Sequence, residues 1–240
     1  MQHSSVKKLF KEQVIQYSKE NQYEKLPLFL GIKEWFKKKK FTRKIEICEF
    51  GGGNGQLLAQ IQKIYPNSSL TNVEIIEDYK RYLVSKKIKF VLDSILDSNF
   101  PDKSFDVVIV RDVLHHLIGR SYEETINNQE HALKELKRLV RPNGVIFIEE
   151  FINESRVATR AIYYLSWLNT KIGVHLPSTF ISKSVIVSFL TSKKLLNMCK
   201  SIFGGKNITK EELQIKVQWY FKALHLFGEI KKMILIIQKK

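Results

Sequence analysis

The chain has 240 residues, 44% of them hydrophobic and 11% aromatic, which is enough to bury one α/β core and too few for two large domains. Its 2 cysteines, Cys48 and Cys199, stand far apart without CxxC spacing, which excludes a zinc-finger or disulfide scaffold. No apolar run reaches the roughly 18 to 20 residues that span a bilayer, and the start, Met1 to Lys8, lacks the apolar stretch of a secretion signal, so a cytoplasmic protein is expected.

The net charge of +16 is unevenly spread: residues 1–44 carry 12 basic and 4 acidic side chains, residues 183–240 carry 12 and 3, and the segment between them 16 and 17. Two basic flanks thus enclose a near-neutral core, with Lys37 to Lys40 as the densest run. Such flanks suit RNA, an anionic membrane surface or an anionic substrate, and equally a solvated lysine-rich surface. The preference for lysine over arginine favours loose electrostatics over bidentate phosphate recognition.

In chain order, residues 4 to 38 read as two helical stretches broken near Leu26-Pro27, the first with Leu9, Phe10, Val14, Ile15 and Tyr17 on one apolar side, so that 1–44 forms a helical cap. From residue 45 the pattern alternates. Strands are predicted over 45–50, 70–75, 88–92, 105–110 and 144–151, and helices over 55–64, 78–87 and 121–140. Alternation of this kind implies right-handed crossovers, so 45–240 is expected to be one doubly wound, Rossmann-like domain around a mostly parallel seven-stranded sheet. Tyr65-Pro66-Asn67 closes the first of these helices, Ser121 with Glu124 has capping-box spacing, and Arg141-Pro142-Asn143-Gly144 ends the long helix. A helical insertion over about 152–202 follows, with helices near 155–169 and 183–202 on either side of a Gly173 to Pro177 loop, placed to form a lid over the strand ends. Two closing strands, 214–224 and 231–238, complete the sheet as an antiparallel pair.

Chemistry concentrates where the first strand turns into a helix. Glu49-Phe50-Gly51-Gly52-Gly53-Asn54-Gly55 presents an acid followed by GxGxG; Gln56 stands where a dinucleotide fingerprint requires its third glycine, so GxGxxG is not met. Glycines here admit positive φ and close approach of a ligand to the main chain, and the next helix offers unpaired N–H groups; a tight turn without a ligand has the same composition. Glu74 closes the second strand, Asp93 follows Phe90-Val91-Leu92, and Phe105-Asp106-Val107-Val108-Ile109-Val110 runs into Arg111-Asp112-Val113-Leu114-His115-His116-Leu117. Taken together, these four motifs between Glu46 and Glu150 resemble the class I S-adenosyl-L-methionine (SAM) methyltransferases, in pattern the type 11 group that includes quinone-biosynthesis and other small-molecule enzymes.

The resemblance implies SAM as cofactor, held by Glu49, Gly51, Gly53, Gly55, Glu74, Asp93, Ser94 and Arg111. Within it, Glu49 anchors the region of the methionine amino group, Glu74 the ribose diol and Asp93 the adenine amino group. Asn143 departs from the family's commoner glycine. Methyl transfer from a sulfonium needs an acceptor held in line and shielded from water, with a base only where the acceptor keeps its proton. His115, His116 and Glu149 are the candidates, with Asp112, Glu150 and the more distant His175 behind them; only one of the adjacent Glu149 and Glu150 can face the site from a strand. The missing Asn-Pro-Pro-Tyr or Asp-Pro-Pro-Tyr sequence disfavours base amino methylation, neither cysteine suits a covalent route to pyrimidine C5, and no metal-ligand spacing stands out. The expected activity is methylation of a small-molecule or lipid-like acceptor. RNA methylation through the basic flanks, and SAM binding without catalysis, are the alternatives.

Overall fold

The computed structural model describes residues 27–39, 41–172, 185–214 and 230–239. The expected apolar face at 9–17, the 173–177 loop, His175 and most of the 214–224 strand lie outside the described residues. The elements are α1 (Pro27–Lys38), β1 (Ile45–Phe50), α2 (Gln56–Ile64), β2 (Ser68–Glu74), β3 (Ile88–Leu92), β4 (Phe105–Arg111), α3 (Tyr122–Leu139), β5 (Val140–Asn153), α4 (Arg156–Ile172), α5 (Ser192–Phe203), β6 (Ile208–Gln214) and β7 (Ile230–Gln238), with short 3₁₀ turns at Glu77–Tyr82, Leu114–His116 and Gly205–Asn207.

All seven strands form one sheet in the order β3-β2-β1-β4-β5-β7-β6. β1 to β5 are parallel, while β7 runs antiparallel to β5 and β6 antiparallel to β7. The seven-stranded, mostly parallel, doubly wound sheet read from the sequence is therefore present. Its central strands are apolar at consecutive positions because both faces are covered. Ile47, Val107, Ile109 and Phe147 point to a core shared with Leu28, Ile32 and Trp35 of α1 and Leu57, Leu58 and Ile61 of α2. Their neighbours Cys48, Val108, Val110, Ile146 and Ile148 point to a second core with Leu133 and Leu136 of α3 and Leu195 of α5. Chain order reverses between β1 and β4, so a crevice opens at their carboxyl ends, the usual ligand position in such sheets.

Local chemistry sets the boundaries. Pro27 opens α1, where a missing N–H costs nothing. Ser121 Oγ accepts from Glu124 N at 3.1 Å to cap α3, but the Glu124 carboxylate reaches back to Arg120 N at 2.6 Å, one residue earlier than a capping box predicts. Asn143 takes φ 63, a left-handed turn that asparagine tolerates without a glycine.

Two expectations need correction. The helix predicted over 78–87 is only the 3₁₀ turn Glu77–Tyr82, because Val84 N is drawn into a bond with Asn54 O at 3.1 Å. The helix predicted over 183–202 starts at Ser192, capped by Thr191; Val185 to Leu190 are not helical, and Leu190 is bridged to Ile152, as suits a stretch rich in β-branched residues. The strand Ile208–Gln214 is not expected from the sequence.

Candidate active site

The β1–α2 turn is built on three left-handed glycines: Gly51 at φ 71, Gly53 at φ 57 and Gly55 at φ 77. It is tied to β2 by Gly51 N to Val73 O at 2.8 Å, Gly53 N to Glu74 Oε1 at 2.7 Å and Asn72 Nδ2 to Gly53 O at 2.7 Å. The tightest position is Gly52, one of the two spacers inside GxGxG. A Cβ there would lie 2.7 Å from Glu49 Oε2 and closer still to Asn72 Oδ1. Glu49 itself is fully buried beneath this turn, and neither of its carboxylate oxygens has a hydrogen-bond donor among the described residues. Burial pushes its carboxyl up to about 7, against the pull of the Arg111 charge. Asn54, also buried, has no acceptor for its Nδ2 among the described residues.

Glu74 spends its carboxylate on the turn and on its own strand end, Oε2 accepting from Ile75 N at 3.2 Å. Burial raises it to about 7, with the backbone donors of Gly53 and Ile75 opposing. Asp93 binds its own loop, accepting from Ser94 N at 2.8 Å, Asn99 N at 3.0 Å and Asn99 Nδ2 at 3.2 Å. Arg111 ends β4, and Asp112 beyond it takes φ 54.

The next turn carries the histidines. His115 Nδ1 is hydrogen-bonded to Glu150 Oε1, and Glu150 also accepts from Leu114 N at 2.6 Å and Phe151 N at 2.8 Å. The His115 ring packs 5.4 Å from Phe189 and 4.0 Å from His116, centroid to centroid. Burial works against a charged His115, but the Glu150 carboxylate outweighs it and the pKa is raised. For His116, burial and then the charge of His115 lower the pKa well below the ordinary value. Glu149, on the neighbouring position of β5, faces Lys232 of β7, whose Nζ donates to Glu149 Oε1 at 2.7 Å and to Asp112 Oδ2 at 2.8 Å.

These groups surround one cavity of about 1180 Å³. One part is walled by Gly51, Gly53, Asn54, Glu74, Asp93 and Ser94, and another by Arg111, His115, His116, Phe151, Trp167 and Lys171. Glu49 and Gly55 lie behind the wall rather than on it: Glu49 under Gly52, and Gly55 at the start of α2 against Leu83 and Ile88. Glu149 is likewise off the wall, paired with Lys232.

Residues 48–148 match the family model described as a methyltransferase domain, of type 11. That stretch is similar to the methyltransferase domain, and the whole sheet has the fold of SAM-dependent methyltransferases. No curated protein matches it in sequence. Among solved structures, a SAM-dependent methyltransferase from Methanosarcina mazei is 16% identical with TM-score 0.59, covering 83% of this chain and 94% of that one. An arsenic(III) SAM methyltransferase from Chlamydomonas reinhardtii is 13% identical with TM-score 0.62, over 89% and 74%. The 1,6-didemethyltoxoflavin-N1-methyltransferase of Burkholderia thailandensis, solved with its substrate and S-adenosylhomocysteine, is 12% identical with TM-score 0.59, over 99% and 88%. At these identities the likeness is one of fold.

The similarity to methyltransferase domains implies SAM as the cofactor, and the residues of the turn fit it. Asn54, on the wall, keeps an unspent amide N–H for a ligand's carboxylate, and just behind the wall the Glu49 carboxylate has no donor of its own among the described residues, as a site for an ammonium group would require. When bound, SAM supplies an electrophilic methyl group. Sequence reasoning missed Gly52, Asn54, Asn72 and Lys232 in this enzyme. A third consecutive glycine was the available signal for Gly52; Lys232 gave none, being 120 residues from Asp112.

Proposed function

We propose that the methyltransferase acts on a small, largely apolar acceptor held at the His115 end of the cavity. Cavity size carries this reading: about 1180 Å³ exceeds the roughly 300 to 1,000 Å³ that usually houses one drug-sized ligand, leaving room for an acceptor beside the cofactor. Leu117, Ile118, Phe151 and Trp167 give that end an apolar lining, and α4 closes over it as a lid.

In this reading Glu49, Asn54 and Arg111 hold the amino-acid end of SAM. Glu74 accepts the ribose hydroxyls on lone pairs left beside its backbone bonds, and Asp93 and Ser94 shape the adenine end. Gly51, Gly53 and Gly55 hold the turn open. His115 is the base: Glu150 fixes its Nδ1, so Nε2 takes the proton from the acceptor's nucleophilic atom, and the carboxylate balances the imidazolium that results. His116, kept neutral by burial, shapes the same wall.

The test is to incubate the protein with methyl-labelled SAM and an extract of its own source, then to partition the label, with Gly53→Trp as control. Label in the organic or small-molecule fraction is the expected result. Ribonuclease-sensitive label would overturn it and turn the basic flanks into the recognition element.

A further inference from the structure

Helix α4 has two apolar faces. Ile162 and Tyr163 are buried against the body of the protein, whereas Val157, Tyr164, Leu168 and Ile172 are 79%, 57%, 45% and 62% exposed. Their spacing of seven, four and four residues puts all four on one outward stripe. Arg156, Arg160 and Lys171 flank that stripe, the helix contains no acidic residue, and none of the three cations forms a salt bridge with a described residue. Lys194 on the neighbouring α5 adds to the same field: its pKa is lowered by burial and then by the charges of Arg160 and Arg156. Trp167 and Lys171 of this helix also line the cavity, so the cavity reaches the stripe's cationic edge.

An outward apolar stripe edged by cations that have no carboxylate partner among the described residues, Arg160 and Lys171 resting on the Tyr122 and Trp167 rings, is the pattern of a helix lying in the plane of a lipid interface. It is not a spanning helix, since among the described residues no helix is long and apolar enough to cross a membrane. We propose that α4 docks the enzyme on an anionic lipid bilayer and brings the cavity mouth to the surface from which an apolar acceptor enters. Charge complementarity selects the bilayer as occupant, because the cations along one edge ask for anionic headgroups while the stripe beside them asks for acyl chain. A nucleic acid would satisfy only the cations. The proposal rests on the acceptor reading above, a bilayer being where an apolar acceptor is concentrated.

The full chain is tested by co-sedimentation with vesicles of phosphatidylcholine alone and of equal phosphatidylcholine and phosphatidylglycerol. The expected result is tight binding to the anionic vesicles and weak binding to the neutral ones. Leu168→Asp with Ile172→Asp should weaken anionic-vesicle binding at least about a hundredfold, and Arg156→Glu with Arg160→Glu about tenfold or more. Both variants change exposed positions, and each is first shown to keep the wild-type melting shift on adding SAM. If one does not fold, the other carries the test.

Wild-type protein left in the supernatant would overturn the proposal. So would variants that sediment like wild type, which would assign any membrane contact to the lysine-rich flanks, or variants that lose RNA binding while keeping vesicle binding. Label transferred to a detergent-dispersed organic fraction by a protein that ignores vesicles would leave the acceptor reading standing and sink the docking. Vesicle binding that depends on α4, with label only in RNA, would do the reverse.

Discussion

Single residues decide how the glycine turn works, and the most constrained of them is Gly52. A methyl group there meets the Glu49 carboxylate and the Asn72 amide, both buried and both held by β-strands. Gly52→Ala should therefore weaken SAM binding at least about tenfold, read by titration calorimetry, while the melting temperature falls by only a few degrees. His115 makes a second residue-scale prediction. Its raised pKa means that the imidazolium persists to higher pH than in a free histidine, so a base at this position gains activity as pH rises through that raised value. His115→Gln should cut kcat about a hundredfold and flatten that rising limb, with SAM affinity unchanged. A rising limb preserved in the variant would remove His115 from the proton transfer. The legibility of the site follows the same division. Gly51, Gly53, Glu74 and Asp93 announce themselves because backbone geometry and strand ends constrain both type and spacing. The Glu150 partner of His115 was visible only as one of two adjacent acids, since which faces the cavity depends on strand register.

Among the elements, β4 and β7 carry the electrostatic joints. At the amino end of β4 the Asp106 carboxylate accepts from Arg43, from Arg141 Nη1 at 2.9 Å and from Glu46 N at 2.9 Å, joining three segments at the end of the sheet away from the cavity. Burial alone would raise its pKa, but Arg43 and the other donors lower it. Its contribution is present above the unfolded-state value and is lost as pH falls through the depressed one. Asp106→Asn should cost about 2 kcal/mol near pH 7 and much less in acid, measured by denaturant unfolding. At the other end, β7 brings Lys232 to Asp112 and Glu149. Lys232→Met leaves two carboxylates without their cation and should destabilise the protein by about 3 kcal/mol, more at pH 8 than at pH 5. Element reading from sequence succeeded where periodicity and caps agreed, as in β1, β3 and α3. It failed at Val185 to Leu190, an apolar run whose non-helical form is set by the bridge to Ile152 and by Ser188 N bonding to His115 O at 3.0 Å, neither of which is local.

For the whole molecule, Glu49 and Glu74 set a stability slope of the opposite sign to that of Asp106. Both are raised to about 7 from a model-peptide value of 4.5, so between those limits the folded state binds more protons than the unfolded one and stability falls as pH rises. Together they place an upper bound of about 7 kcal/mol on that loss. A bound cation beside Glu49 offsets part of it, so the melting shift caused by saturating SAM should be larger at pH 8 than at pH 6; calorimetry showing equal shifts would exclude Glu49 from the cofactor contact. The parallel pairing read from the alternating strands explains why these acids meet at all: β1 and β2 end side by side, next to the point between β1 and β4 where strand order reverses.

The position of β7 between β5 and β6 has a temporal meaning as well. Synthesis delivers the glycine turn, the Glu74 strand end and both histidines long before Lys232. A partly made chain can assemble the parallel strands and still hold Asp112 and Glu149 as a repelling pair at the edge of the site. Docking of β7, which pairs with β5 from Val145↔Gln238 to Asn153↔Ile230, supplies their counter-ion in the same motion that covers the sheet edge. Maturation of the site is thus coupled to the docking of β7 on β5 rather than to the assembly of the parallel strands alone.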